Sequence, residues 1–395
     1  NTTFHARLGW NVTEDLRLSF VGRDIDSENE YDDCFGTDDC REEFEQTAWR
    51  TAVNYQLGRF SHELSYNNSE VDRDYFSDGM FSFGSGGELE RINYLGSFDG
   101  SEALKLVYGV EFMNESYDSN SPDNDRDQDA YYLEYQGGFN DNLFFTAGAR
   151  YDDNDDFGSH TSYRASGAYL IPMAGGEMKL RATYGTGFRA PSLSEVATNF
   201  SEFTLPPAFG FELSEEESEG YDLAVSWADD SGVFVELVYF DQEISDEIVY
   251  DFNSFGYLQV DGDTESTGIE LVGETPLFEN FFISANYTYT DSQDVNGDQR
   301  VRRPEHMANL GISWSGLSDR LVLGLNARLS HDAVDIDGTA LDDYEVLDIN
   351  ASYLIGAGFT VFGRVENVTD EDYEEVPDYN TTGAAGYIGL RYTFE

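Results

Sequence analysis

Basic residues are scarce: 22 Lys and Arg stand against 78 Asp and Glu in 395 residues, a formal charge of −56. Such a chain repels phosphate backbones and lacks the main source of nucleic-acid affinity, so nucleic acid is excluded as a partner. Long apolar runs are missing as well. No stretch reaches the 18 or more consecutive apolar residues that a membrane-spanning helix needs, which excludes a helical membrane protein. Catalytic signatures are sparse: there is no G-x-S-x-G nucleophile motif, and the five histidines, His5, His62, His160, His306 and His331, are scattered through unrelated segments. An enzyme is not expected. Aromatics, by contrast, are abundant, with 29 Phe and 26 Tyr, so an acidic disordered tail is excluded too, because such tails lack apolar mass.

What is present is alternation. In LVLGLNARLS, Leu321, Leu323, Leu325, Ala327 and Leu329 face one way and Val322, Gly324, Asn326, Arg328 and Ser330 the other. Phe281, Ile283, Ala285, Tyr287 and Tyr289 repeat the pattern against Ser284, Asn286 and Thr288, and Leu347, Ile349, Ala351 and Tyr353 repeat it against Asp348, Asn350 and Ser352. Strands of about ten residues with one greasy face fit the tilted strands of a transmembrane antiparallel up-and-down β-barrel, an all-β fold. Soluble β-sandwich strands are usually about five or six residues. Trp10, Tyr287 and Tyr289 read as interface girdles.

Short turns (11 to 15, 57 to 59, 139 to 142, 228 to 232, 315 to 319 and 355 to 358) alternate with long connections. The long ones are expected at 26 to 45, 70 to 88, 116 to 128, 153 to 161, 188 to 216, 243 to 263, 291 to 305, 331 to 345 and 369 to 385. Short periplasmic turns and long outer loops give the barrel its sidedness. The count is about 19 strands, from near Phe4 to the terminal YIGLRYTF. An odd count with ends on opposite sides cannot close, and an open edge is prohibitively costly in hydrocarbon. Residues 1–395 are therefore expected to be the C-terminal part of a longer protein; about three more strands would give 22, the size that carries a lumen plug. Splitting one strand in two would instead leave an 18-stranded open pore. Asn1 opens directly into NTTFHARLGW without a visible signal peptide.

Acid concentrates in the long connections, above all in DIDSENEYDDCFGTDDCREEFE, where Arg41 is the single base. The bland reading is a surface tuned to saline water; the functional one is calcium, which takes clustered hard oxygen ligands. Cys34 and Cys40 lie in this loop, and their close spacing in polar surroundings suggests a disulfide, with a two-Cys zinc half-site as the rival. DVNGDQRVRRPE (294 to 305) places Asp294, Asn296, Asp298 and Glu305 at EF-hand positions, but its Gly falls at the fourth place, so it reads as a loop turn. Arg189, in FRAP, reads as the end of a strand leaving the membrane, with Pro191 stopping the ladder.

GTGFRAPSLSEV (185 to 196), VENVTDEDYEEV (365 to 376) and the terminal Tyr392-Thr393-Phe394 resemble TonB-dependent outer-membrane receptors over most of the chain. TAGARYDDNDDFGSHTSYRASGAY and RVRRPEHMANLGISW support this. Within the family the likeness is nearest to cobalamin (vitamin B12) receptors, through EYDDC and YDDNDDFG. The resemblance implies a 22-stranded barrel in the outer membrane of a Gram-negative bacterium, in contact with lipid and lipopolysaccharide. It also implies an N-terminal plug whose TonB box binds TonB, with the plug and first strands absent from this chain. A small-molecule ligand, a cobalamin, would bind at the outer loops, with room for a surface lipoprotein as a cap. Calcium would be held by Tyr31 and Asp32, in the family's matching positions, and by Asp38 or Asp39. A Cys34–Cys40 bridge would pre-shape that loop. Haem receptors of the family follow FRAP with a His and NPNL; here no His lies between Ser192 and Glu219, which argues against haem. The expected function is TonB-dependent uptake of a corrinoid, with ferric-siderophore uptake and a passive porin-like channel as alternatives.

Overall fold

Strands form where the alternation is. The computed structural model describes residues 1–32, 39–119 and 124–394. Its strands are β1 (Thr2–Asn11), β2 (Leu16–Tyr31), β3 (Cys40–Leu57), β4 (Phe60–Ser77), β5 (Met80–Ser101), β6 (Leu104–Ser119), β7 (Asn124–Phe139), β8 (Leu143–Asn154), β9 (Gly158–Met173) and β10 (Gly176–Arg189). After the short helix α1 (Leu193–Asn199) come β11 (Glu216–Asp229), β12 (Phe234–Ser245), β13 (Ile248–Asp251), β14 (Gly256–Gln259), β15 (Asp263–Leu277), β16 (Phe281–Gln293), β17 (His306–Gly316), β18 (Leu321–His331), β19 (Tyr344–Gly356), β20 (Phe359–Glu366) and β21 (Ala385–Tyr392). Nineteen of these are long strands of antiparallel ladder, the number counted from sequence, and β13 with β14 is a separate hairpin.

The chain divides into two compact units. One comprises Asn1–Ala165, Gly185–Ser218 and Asp246–Asp261; the other comprises Ser166–Tyr184, Glu219–Ser245 and Gly262–Glu395. In the first unit β1 to β8 pair each with the next. In the second the ladder runs β12–β15–β16–β17–β18–β19–β20–β21.

Register keeps like with like. One row of partners in the first unit reads Trp10, Leu18, Val53, Leu64, Tyr94, Val110, Tyr131, Tyr151. A row in the second reads Ile283, Ile312, Leu325, Ile349, Val365. A one-residue slip would turn either row to the other face, so burial of this face against hydrocarbon fixes the register. The face is bare in the protein itself, with Leu8 67% and Ile388 86% exposed. A sheet of uncovered Leu, Ile and aromatic side chains is untenable in water and is what a bilayer solvates.

The six short turns lie where the sequence placed them, but several long connections do not exist as loops. Strands predicted at about ten residues run to 22 in β5, and 70 to 88 is continuous ladder closed by Asp78 and Gly79, with φ of 51° and 71°. Positive φ at both central residues is the geometry that makes Asp-Gly the preferred two-residue hairpin turn. Beyond the apolar band both faces of a hairpin meet water, so alternation fades although the ladder continues. Asn67, Asn68, Ser69, Glu70 and Asp72 of β4 show no greasy face and are strand all the same. Likewise 243 to 263 contains the β13–β14 hairpin, and 188 to 216 contains α1.

Candidate functional site

The face opposite the bilayer is polar in both units. In the first, Arg91 lies 3.6 Å from Glu111, which also takes Arg150 at 3.0 Å, and Arg150 reaches Asp152 at 2.8 Å. Gln128 donates to Asp152 at 3.0 Å and accepts from Asn154 at 3.0 Å. Arg50 pairs with Glu63 at 2.5 Å. The linked network spans β5 to β8, the Arg50–Glu63 pair lies on β3 and β4 of the same face, and the charges named balance. At the other end of the same face, Arg7, Arg17 and Arg23 of β1 and β2 make no ion pair among the described residues. They form a cationic stripe in a very acidic chain.

Above the strands of this unit, the FRAPS segment is a structural node. Arg189 donates to Glu216 at 2.7 Å and to Glu195 at 3.0 Å, and the hydrogen bonds it gives to Glu216, with help from Glu195, raise the guanidinium's already high pKa. Pro191 is fully buried and its carbonyl accepts from Arg126, which is 4% exposed and also paired to Glu115. Ser192 caps α1 while Glu195 reaches back to the Ser192 amide at 2.7 Å, a reciprocal capping box. The strand thus ends at Arg189 for the structural reason read from sequence, and the S-x-x-E signature of the helix was there to be seen.

At the end of α1, Asn199 clips the helix to two other segments. Its amide nitrogen donates to the carbonyls of Phe211 (3.1 Å) and Tyr257 (2.9 Å), and its oxygen accepts from the Tyr257 amide (2.7 Å). Thr204 adds bonds to the carbonyls of Thr198 and Phe255. Gly256 sits so close that a Cβ would lie within 2.9 Å of Thr204, Ala208 and Asn199 atoms. The clip turns Phe203, Phe209, Phe252 and Phe255 outward.

In the second unit the polar face carries a cavity of about 690 Å³ across β16 to β20, roofed by residues 367 to 382. Its floor is amide-rich. Asn309 donates to Asn286 at 3.0 Å, Asn326 is the ladder partner of Asp348, and the Ser284 hydroxyl lies over Gly311, where a Cβ would meet it at 2.7 Å. The charged side chains here each have a partner: Arg328 bonds the Tyr373 hydroxyl at 2.8 Å and lies 3.7 Å from Glu375, Glu366 pairs with Arg364 at 3.1 Å, and Asp348 accepts the Asn367 amide at 2.8 Å. Beside these partnered charges the lining offers the uncharged hydrogen-bonding groups of Asn286, Asn309, Asn326 and Asn380.

Of the expected calcium ligands, Tyr31 ends β2 and is exposed, as are Asp32 and Asp39 beside the start of β3. Asp38 and Cys34 lie outside the described residues; Cys40 is buried at the start of β3, opposite Tyr31. The EF-hand-like stretch is a turn. Asp294 accepts the amides of Asn296 (2.8 Å) and Asp298 (3.0 Å), and although partial burial pushes its carboxyl up, these donors hold it below the usual carboxylate range. The alternation in sequence placed Asn286, Asn326 and Asp348 on polar faces, but it did not gather them into one cavity, because the lining residues are spread over six segments between 284 and 382.

A family model described as "TonB dependent receptor-like, beta-barrel" matches residues 1–368. The vitamin B12 transporter BtuB of Photobacterium profundum is 26% identical over all of this chain, and that of Vibrio cholerae is 25% identical over 99% of it. An iron-regulated outer membrane virulence protein of Vibrio cholerae is 25% identical over 73% of the chain and 49% of its own length. The chain spans 64% of the length of the two B12 transporters. Among solved structures, the ferric enterobactin receptor PfeA of Pseudomonas aeruginosa gives a TM-score of 0.83 at 14% identity, with 99% of this chain and 69% of that one covered. The siderophore receptor PirA of the same organism gives 0.78 at 17%, with 100% and 70% covered.

Proposed function

The chain belongs to the TonB-dependent receptors, through their β-barrel, and from that membership we propose that the full-length protein imports a corrinoid across the outer membrane, driven by TonB. The family is one of outer-membrane receptors, not enzymes. The observation that carries the corrinoid is the amide-lined cavity on the polar face of β16 to β20. Corrinoids have little net charge and are ringed by carboxamide side chains, which both donate and accept. Asn286, Asn309 and Asn326 match that chemistry with the same group, and the charged side chains of the lining, Arg328, Asp348, Glu366 and Glu375, are each already engaged by a neighbour. The acidic surface penalises anionic ferric complexes more than a near-neutral corrinoid, within the 8 to 10 Å over which salt leaves exposed charges visible. The B12 transporters aligned over nearly the whole chain support the same reading. Calcium at Tyr31, Asp32, Asp38 and Asp39 would offset part of the acid and order the loop for binding.

A ferric siderophore is the second reading, favoured by Arg7, Arg17 and Arg23, whose uncompensated charge would suit an anion. Titrating purified full-length protein with cyanocobalamin, a ferric catecholate and haemin, each with and without calcium, separates the two. Cyanocobalamin is expected to bind tightest, more so with calcium, and Asn326→Leu to weaken it several-fold, the scale of one or two hydrogen bonds. Tighter binding of either iron ligand overturns the assignment.

A further inference from the structure

We propose that His160, Glu215 and Glu217 form a site for a divalent transition-metal ion of zinc's class. One ligand atom from each lies within 4.8 Å of the other two. The cluster belongs to the first unit and is separate from the calcium loop and the amide cavity, so it does not rest on the corrinoid reading.

Extended chain at the entry to β11 builds the carboxylate pair. Residues two apart share a face, so Glu215 and Glu217 project together and Glu216 projects away. Glu216 is already spent: it holds Arg189 at 2.7 Å and accepts the Ile248 amide at 2.6 Å. Glu215 has no basic partner among the described residues, and Glu217 has His160 alone, Nδ1 to Oε1 at 3.6 Å. Near the start of β9, the His160 ring lies against Phe188 with centroids 4.5 Å apart, and its side chain is only 13% exposed. The ring is therefore placed rather than free.

The donor set selects the ion. Zinc binds imidazole and carboxylate at about 2.0 to 2.2 Å, so donors around a tetrahedral ion stand about 3.4 Å apart. The His160–Glu217 separation is already close to that, and the 4.8 Å limit leaves Glu215 a small side-chain movement from it. An imidazole is a poor ligand for calcium or magnesium, and two carboxylates with no thiolate or thioether are poor ligands for Cu(I). Three protein ligands leave a fourth position for water, as in open zinc sites. Two carboxylates facing one neutral imidazole carry two negative charges that a divalent cation cancels. Its binding would fasten the start of β9 to the segment entering β11.

The test uses untagged, chelator-stripped full-length protein in detergent. Titration with zinc is expected to show one site per chain that excess calcium does not displace. Cobalt(II) substituted there is expected to give visible bands that zinc abolishes. His160→Gln and Glu217→Gln are each expected to weaken zinc at least about tenfold, since even losing an outer-sphere partner costs that much, while His306→Gln leaves it unchanged. Equal zinc affinity in wild type and His160→Gln, or displacement by calcium, overturns the site. If His160→Gln fails to fold, copper(II)-loaded wild type decides by electron spin echo: modulation from an imidazole nitrogen supports the site, and its absence overturns it.

Discussion

Replacing Asn199 by alanine tests whether one buried amide holds the α1 region to the β13–β14 hairpin. The side chain is fully buried and makes three hydrogen bonds, two donated to the carbonyls of Phe211 and Tyr257 and one accepted from the Tyr257 amide. At about 1 kcal/mol net each, the loss is about 3 kcal/mol, and stranding three buried backbone groups pushes it higher. At 1.4 kcal/mol per decade, opening of the hairpin should become roughly a hundredfold more frequent. The Tyr257 amide reports this directly. In Asn199→Ala its hydrogen exchange should accelerate by about that factor, and proteolysis within 200 to 211 should appear, while amides of β4 and β5 exchange as before. Asn199→Asp retains the acceptor but sets a carboxylate against two carbonyls, so it should be at least as damaging. Unchanged exchange at Tyr257 in both variants would refute the clip, as would equal acceleration in the long strands, which would mean that the residue serves global stability instead.

In the second unit Arg302 donates to Asp335 at 2.8 Å and this bond holds the Asp335 carboxyl below its ordinary 3.8. A depressed carboxylate contributes stability above its unfolded pKa and loses it as pH falls through the folded value. The 332 to 343 segment should therefore loosen only below about pH 4; protease resistance unchanged from pH 5 to 2.5 would refute this. Cys34 and Cys40 are expected to be bonded to each other, and non-reducing peptide mapping that recovers both as free thiols sinks the idea. Ile349→Arg, which puts a cation on the bilayer face, should cost about 2 to 4 kcal/mol in refolding into lipid if the site is near midplane, whereas Ser352→Arg on the other face should be tolerated. Equal cost for the two would contradict the assignment of faces.

How legible each part was depends on what solvates it. Where one face meets hydrocarbon, as at Leu321 to Leu329, period two gave strand and face from sequence, because any polar intrusion there is costly. Above the bilayer that discipline ends, so β4 from Glu70 onward looked like a loop although its ladder continues to Ser77, with the turn at Asp78 and Gly79. The Asp-Gly pair and the Ser192–Glu195 box were local signals with a clear physical meaning. The gathering of the amide cavity and of the His160 cluster gave none, although Asn286, Asn326 and Asp348 were placed on polar faces, since each joins residues from separate segments whose meeting depends on strand register. The FRAP arginine was legible in role but not in partners: Glu216 lies 27 residues away.

The reach of the β4–β5 hairpin has a kinetic consequence. Its strands are 18 and 22 residues long, where about 9 to 11 suffice to cross a bilayer, so at about 3.3 Å per residue some 25 Å or more of ribbon stands clear of the lipid. A loop of that length would have to be ordered at every capture event, whereas the hairpin is ordered once, when the protein folds. Any molecule it meets encounters a fixed surface, and preorganisation of this kind reduces the entropic cost of association. Arrival at this edge should therefore scale with diffusion and ionic strength, with no slow closing phase contributed by this segment.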